Sequence, residues 1–242
     1  MIIPLIQLKV TPMDSNEVVR YIRTPTTATR ILANHNMHSA FLYHDSEKFR
    51  KFYEIAEKVL IDGMPLLWLA NLRGRRLPLN NRIGSTDWIH DLLATTSLKC
   101  PIRIFILGGS PTTSKSVGIK FQNILGLTVQ TFHGYFQSEE ADLVVREIND
   151  FKPDLLLVGL GMPKQEFFVL DNLDKFNNFT IATVGGAIDY LAGANKLAPR
   201  FIGTLGFEWL WRFVFEPRRL FSRYFIEPIL LLRLIVKSRL TK

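Results

Sequence analysis

One cysteine, Cys100, stands among 242 residues, so no disulfide framework holds the chain together and a reducing compartment suits it. Asp-x-Asp pairs are missing altogether, which removes a compact way of holding a divalent ion against a diphosphate. His35 and His38 are three apart but have no Cys or carboxylate cluster beside them, so no metal site is expected. The longest apolar runs fall far short of the roughly 20 residues that a bilayer-spanning helix needs. Met1 to Val10 is apolar, yet it has no basic flank, contains Pro4 and lacks a small-residue cleavage site. That favours a cytosolic chain over a secreted one. Glycine and proline are scattered, which excludes collagen-like and low-complexity classes. What remains is 47% hydrophobic and 21% charged, enough for one large core. The expected organisation is a compact domain over 1–205 and an appendage over 206–242.

Six short apolar runs, each stopped by Gly, Asp, Asn or His, read as buried parallel strands: Arg30 to Ala33, Lys58 to Ile61, Ile102 to Leu107, Leu127 to Phe132, Asp154 to Val158 and Thr180 to Val184. Between them lie segments with helical spacing, at Ser46 to Glu57, Thr113 to Leu125, Glu139 to Phe151 and Lys164 to Phe176. Strands alternating with helices imply a Rossmann-like α/β fold, a parallel sheet with helices on both faces.

In such sheets ligands bind beyond the carboxyl ends of the strands. Glycines gather there: Gly108 and Gly109, Gly134 after His133, Gly159 and Gly161, Gly185 and Gly186. Glycine lets backbone approach a ligand, and a helix N-terminus behind it offers N–H groups to phosphate. A nucleotide site is one reading; tight strand-to-helix turns are the other. The spacing matches neither a dinucleotide fingerprint nor a P-loop, and no clear acid ends the next strand to hold a ribose, which counts against an oxidoreductase. Asp62 closes the second strand ahead of the apolar helix Leu66 to Leu72. It reads either as a helix N-cap or as a general base, the group that takes a proton from an attacking hydroxyl. Gln165 can donate to and accept from a sugar or a uracil. Lys164 and Glu166 read as a solvated first turn.

The net charge of +8 is concentrated at the end: from Trp209 to Lys242 there are eight Lys or Arg against two acids. Aromatics from Trp209 to Phe225 interleave with these cations, and Ile229 to Val236 adds an aliphatic block broken by Arg233. Leucine and isoleucine offer nucleic-acid bases no stacking plane, so an anionic membrane surface is the expected partner and nucleic acid is not. Packing of this tail on the domain is the alternative, and a second copy of the chain is a further candidate for its apolar surface.

Taken in order, these blocks resemble the WecG/TagA/CpsF family of bacterial glycosyltransferases. The resemblance runs from about Arg30 to Tyr224. It rests on Asp62-Gly63, Arg82-Ile83-Gly84-Ser85-Thr86-Asp87, Phe105 to Gly109, His133-Gly134-Tyr135-Phe136, Val158 to Glu166, Val184 to Asp189, Gly206 to Arg212 and Glu216 to Arg219. It implies an inverting, metal-independent transfer from a UDP-sugar to an undecaprenyl-diphosphate-linked acceptor, without a cofactor, by an enzyme peripheral to the cytoplasmic face of the plasma membrane. UDP-ManNAc, UDP-ManNAcA and UDP-glucose are donors of the implied kind. The resemblance makes Asp62 the base and Gln165 a substrate-binding residue. Asn34 and Asn36 align with a Thr-x-Asn pair that lines the pocket, with Asn34 departing from the commoner threonine. Arg82 and Asp87 are implied to face that pocket, Asp189 to contact the nucleotide, and Arg212, Arg218, Arg219 and Arg223 to lie near the diphosphate. A membrane-bound scaffold that binds a nucleotide sugar without turnover is the non-enzymatic alternative.

Overall fold

The computed structural model describes residues 1–72, 74, 76–194 and 208–240, and in the last stretch all side chains but those of Glu208, Trp209, Arg212, Arg219 and 237–240. The expected boundary between 205 and 206 lies outside the described residues. Eight strands occur among them: β1 (Ile2–Ile3), β2 (Leu8–Lys9), β3 (Arg30–His35), β4 (Lys58–Ile61), β5 (Ile102–Gly108), β6 (Leu127–Phe132), β7 (Leu155–Gly159) and β8 (Thr180–Thr183). The last six form one sheet in the order β4-β3-β8-β7-β5-β6, with every pairing parallel. All six expected strands are present.

Their composition follows from their position. Strand β7 is covered on both faces and therefore reads as an unbroken apolar run instead of an alternating one, while β8, buried along its length, carries a threonine at each end. On one face Leu32, Leu60, Ile104 and Leu157 pack against α1 (Ser15–Arg23), α5 (Ser85–Ala94), α6 (Pro111–Gln122) and α9 (Ala187–Ala192). On the other, Ile31, Phe105 and Val158 meet α3 (Glu47–Ile55), α7 (Ala141–Phe151) and α8 (Lys164–Asp171). The doubly covered parallel sheet is therefore as expected.

A third core was not foreseen. The β1–β2 hairpin buries Ile3, Ile6 and Leu8 against α2 (Met37–Asp45) and α4 (Met64–Asn71). The C-terminal segment joins this core. It comprises α10 (Glu208–Phe215), α11 (Pro217–Phe221), a π-helical turn (Ser222–Ile226) and α12 (Glu227–Leu240). Leu231 of α12 is buried there, and Glu227 Oε2 lies 2.6 Å from His38 Nδ1 on α2. The opposite side of α12 is apolar as well: Ile229, Leu232 and Val236 are 57%, 62% and 48% exposed. No helix among the described residues is long and apolar enough to cross a membrane.

The sheet places its crevice between β5 and β7. The chain leaves β5 toward β6 on one side and leaves β7 toward β8 on the other, which makes their carboxyl ends a topological switch point. There Gly108 and Gly159 are register partners. A Cβ on Gly108 would sit 2.4 Å from the Gly159 carbonyl oxygen, so only glycine fits. Gly108→Ala should destabilise the protein by about 3 kcal/mol, through overpacking and backbone strain together. Gly161 has φ +77° but open space around it, so Gly161→Ala should cost only about 1 kcal/mol. Urea unfolding followed by circular dichroism checks the contrast, and equal losses would contradict it.

Candidate functional site

Two groups of residues line the carboxyl edge of the sheet. The first gathers where β3, β4 and the start of α5 meet. Asp62 follows β4, its backbone N–H donating to the His35 carbonyl at 2.8 Å. It is half-buried. The N-cap of α4 is Gly63, at φ 97°, which has no side chain to cap with. The Asp62 carboxylate lies against the Gly84 turn, with Oδ1 3.8 Å from where a Cβ on Gly84 would stand. Arg82 is brought to the same place because the backbone of Arg82-Ile83 runs parallel to the end of β4, Ile83 N–H donating to the Ile61 carbonyl at 2.9 Å.

Asn34 points from β3 toward α5, and its amide donates to Ser85 Oγ at 3.3 Å in a buried contact. Asp62, Arg82, Asn34 and Ser85 thus converge on one turn. Ser85 was not singled out from the sequence, although it sits inside the Arg82 to Asp87 block. Two other expected pocket residues hold helix ends. Asn36 Oδ1 accepts from Ser39 N–H as the N-cap of α2, and Asp87 Oδ2 accepts from Gly84 N–H at the start of α5. Both are capping arrangements that use the carbonyl or carboxylate oxygen.

The second group is glycine-lined. Gly134 N–H donates to the Gly109 carbonyl at 2.8 Å, and a Cβ on Gly134 would stand 3.2 Å from Gly108 Cα. These glycines let three strand ends crowd together. Gly161, Gly185 and Gly186 differ, because among the described residues nothing beyond their chain neighbours lies within 4 Å of where their Cβ atoms would be. That is the open part of the rim. Behind Gly109, Ser110 caps α6. His133 Nδ1 accepts from Tyr135 N–H at 3.3 Å, a local turn contact. Asp189 lies half-buried in the first turn of α9, its carbonyl accepting from Ala194 N–H.

Gln165 and Glu166 depart from expectation. Glu166 is fully buried instead of solvated, and Gln165 is 1% exposed. The Gln165 carbonyl oxygen accepts from Gly185 N–H at 3.0 Å, and its Nε2 donates to Glu166 Oε1 at 2.7 Å. Burial pushes the Glu166 carboxyl up to about 7, against the opposing hydrogen bonds from Gln165 and from its own backbone N–H. Glu166 Oε2, His35 Nε2 and Thr183 Oγ1 are buried polar atoms without a hydrogen-bond partner among the described residues. The signal that was available is helical spacing: Glu166 is three residues before the buried Val169 and shares its side of α8.

Tyr53 of α3 links the two groups. Its hydroxyl donates to the Asn34 carbonyl at 2.9 Å, and its ring stacks on His35 with centroids 3.9 Å apart. Burial, then the charge of Glu166, pushes the phenol well above its ordinary range; a Ser39 hydrogen bond opposes this and Asp62 adds a smaller push. Both carboxylates are therefore within electrostatic reach of one buried side chain. His35 is held neutral, at about 3, first by burial and then by His44.

The tail arrives at this edge. His38, which meets Glu227, is two residues beyond Asn36. Arg223, half-buried, lies one turn before Glu227, and Arg218 is exposed. The side chains of Arg212 and Arg219 lie outside the described residues. Among the described residues no group of three or more His, Cys, Asp or Glu gathers as a metal site.

The chain is similar in sequence to known glycosyltransferases. Two curated proteins named N-acetylglucosaminyldiphosphoundecaprenol N-acetyl-beta-D-mannosaminyltransferase, from Staphylococcus aureus strains MRSA252 and NCTC 8325 / PS 47, are each 28% identical to the chain over 166 residues. That stretch is 68% of this chain and 64% of each relative, so the match spans somewhat less than two thirds of their length. The model of the glycosyl transferase WecG/TagA/CpsF family matches residues 3–242. With nearly every residue inside that match, the chain belongs to the glycosyl transferase WecG/TagA/CpsF family.

Proposed function

We propose that the protein transfers a sugar from a UDP-sugar to an undecaprenyl-diphosphate-linked saccharide, with inversion and without a metal ion, in building a cell-surface polysaccharide. The observation that carries this reading is the placement of Asp62. A half-buried carboxylate at a strand end lies against the Gly84 turn, close to Asn34, Ser85 and Arg82. Family membership supports the reaction class. The names of the Staphylococcus aureus relatives point to N-acetylmannosamine as the sugar and N-acetylglucosaminyl-diphosphoundecaprenol as the acceptor.

In this reading Asp62 takes the proton of the acceptor hydroxyl as that oxygen bonds to the anomeric carbon. The bond from that carbon to the diphosphate breaks, and UDP leaves with the bonding pair. Its developing charge is met by fixed donors: the open backbone at Gly161, Gly185 and Gly186, the N-terminus of α6 behind Gly108 and Gly109, and the arginines at 82, 212, 218, 219 and 223. Asn34, Asn36, Asp87, His133, Gly134 and Asp189 shape the pocket around donor and acceptor, several of them by holding the turns described above. Metal independence is supported by the missing Asp-x-Asp pair. Gln165 acts from behind the rim.

The outward face of α12 suits an anionic membrane surface, where the acceptor's diphosphate would lie: Ile229, Leu232 and Val236 project beside exposed Arg233, with Phe221, Phe225 and Ile226 exposed just before them. We assign the enzyme to the cytoplasmic face, peripherally bound. A second copy of the chain is the other partner that this face would accept.

Asp62→Asn should lower kcat by roughly 10²- to 10⁴-fold, the range typical for removing a general base, with donor affinity kept. UDP release with UDP-ManNAc and a polyprenyl-diphosphate-GlcNAc analogue, alongside calorimetric donor binding, measures both; near-wild-type turnover would remove Asp62 from its role. A protein that binds the donor but never releases UDP would be the scaffold instead. Changing Ile229 and Leu232 together to Ser should weaken co-sedimentation with phosphatidylglycerol vesicles by about tenfold or more, given the transfer energy of two aliphatic side chains. Undiminished binding would refute the membrane face.

A further inference from the structure

The Gly185–Gly186 turn is uncovered among the described residues, with none of their atoms beyond the chain neighbours within 4 Å of either would-be Cβ, and Gly185 has φ +53°. Backbone bonds hold its flanks: Val184 N–H donates to the Val158 carbonyl at 2.8 Å and Ala187 N–H to the Val184 carbonyl at 3.1 Å. Gly185 N–H is held by a side chain, the Gln165 carbonyl oxygen at 3.0 Å. A primary amide has two ends, and only the oxygen can accept from Gly185. The two ends are matched together: Gly185 N–H is a donor for the oxygen, and at the other end Glu166 Oε1 accepts from Gln165 Nε2 at 2.7 Å, so the carboxylate reinforces the same orientation. Both side chains are sealed from water. A buried carboxyl with one unpartnered oxygen adds nothing to the apolar core and carries a desolvation penalty. What it contributes is direction.

We propose that Glu166 is a positioning residue for the donor side of the site: by accepting from Gln165 it keeps the glutamine oxygen on Gly185 N–H and so fixes the backbone that the sugar diphosphate meets. The inference rests on the proposed transferase reading for the identity of that ligand. The chain from Glu166 through Gln165 to Gly185 stands on geometry alone.

Glu166→Met and Glu166→Gln test it, the first removing the acceptor at similar volume and the second keeping an acceptor oxygen. In Glu166→Met the Gly185 amide should exchange with solvent about tenfold faster by NMR, the upper worth of one hydrogen bond. The Val184 amide, bonded to Val158, should be unchanged and serves as the internal control. With UDP-ManNAc as donor, Glu166→Met should raise the donor KM by about tenfold for the same reason, leaving kcat close to the wild-type value, the reverse of the split expected for Asp62→Asn. Glu166→Gln should restore both. Unchanged Gly185 exchange in Glu166→Met, or a Gln variant as impaired as the Met variant, would overturn the proposal. Should the Met variant not fold, Glu166→Leu takes its place. If the wild-type protein turns over none of the UDP-sugars, the transferase reading falls, while the exchange measurement still decides the role of Glu166.

Discussion

The contact on which the rest of the edge depends is the one between Gly108 and Gly159. Two adjacent parallel strands end side by side with their main chains too close for any Cβ, and the chain then departs from them in opposite directions. Because the strands end together, the loops after them share one crevice. Gly134 and Gly109 pack into the same knot. Glycine here serves two physical ends at different positions. In the knot it removes bulk so that backbone can meet backbone; at Gly161, Gly185 and Gly186 it leaves backbone uncovered.

The sheet was readable because a strand buried on both faces has to be apolar along its length, and such runs stopped by Gly, Asp or Asn are hard to mistake. The β1–β2 hairpin was not readable: its strands are two residues each, too short for any period to show. Asn36 and Asp87 were picked out as pocket residues by resemblance. Each is also a residue type favoured at a helix start, and the structure shows them in that service. Glu166 was misjudged for a tertiary reason. A Lys-Gln-Glu sequence opening a helix has the look of a solvated turn, but α3 packs along α8, with Tyr53 near Glu166 and the 2.6 Å Lys48 to Asp171 ion pair at the far end of α8. Only the helical spacing to Val169 marks Glu166 as inward-facing in the sequence.

Asp62 owes its place to the residue after it. Gly63, in a conformation with positive φ, stands between Asp62 and α4 as the N-cap of that helix, and the Asp62 carboxylate lies close to the Gly84 turn ahead of α5. The acid therefore sits where β3, β4 and α5 come together. Its neighbours there come from two distant segments, β3 with Asn34 and the Arg82 to Ser85 turn, so no single stretch of sequence holds the whole cluster.

The docking of α12 has a geometric corollary. Glu227 meets α2 at His38, only three residues from the end of β3, and Leu231 seats the next turn in the third core while Ile229, Leu232 and Val236 look the other way. A helix with its side chains is about 10–12 Å thick. Whatever surface rests on the far side of α12 is therefore held at a set height above Asn36 and its strand end, with the helix acting as the spacer.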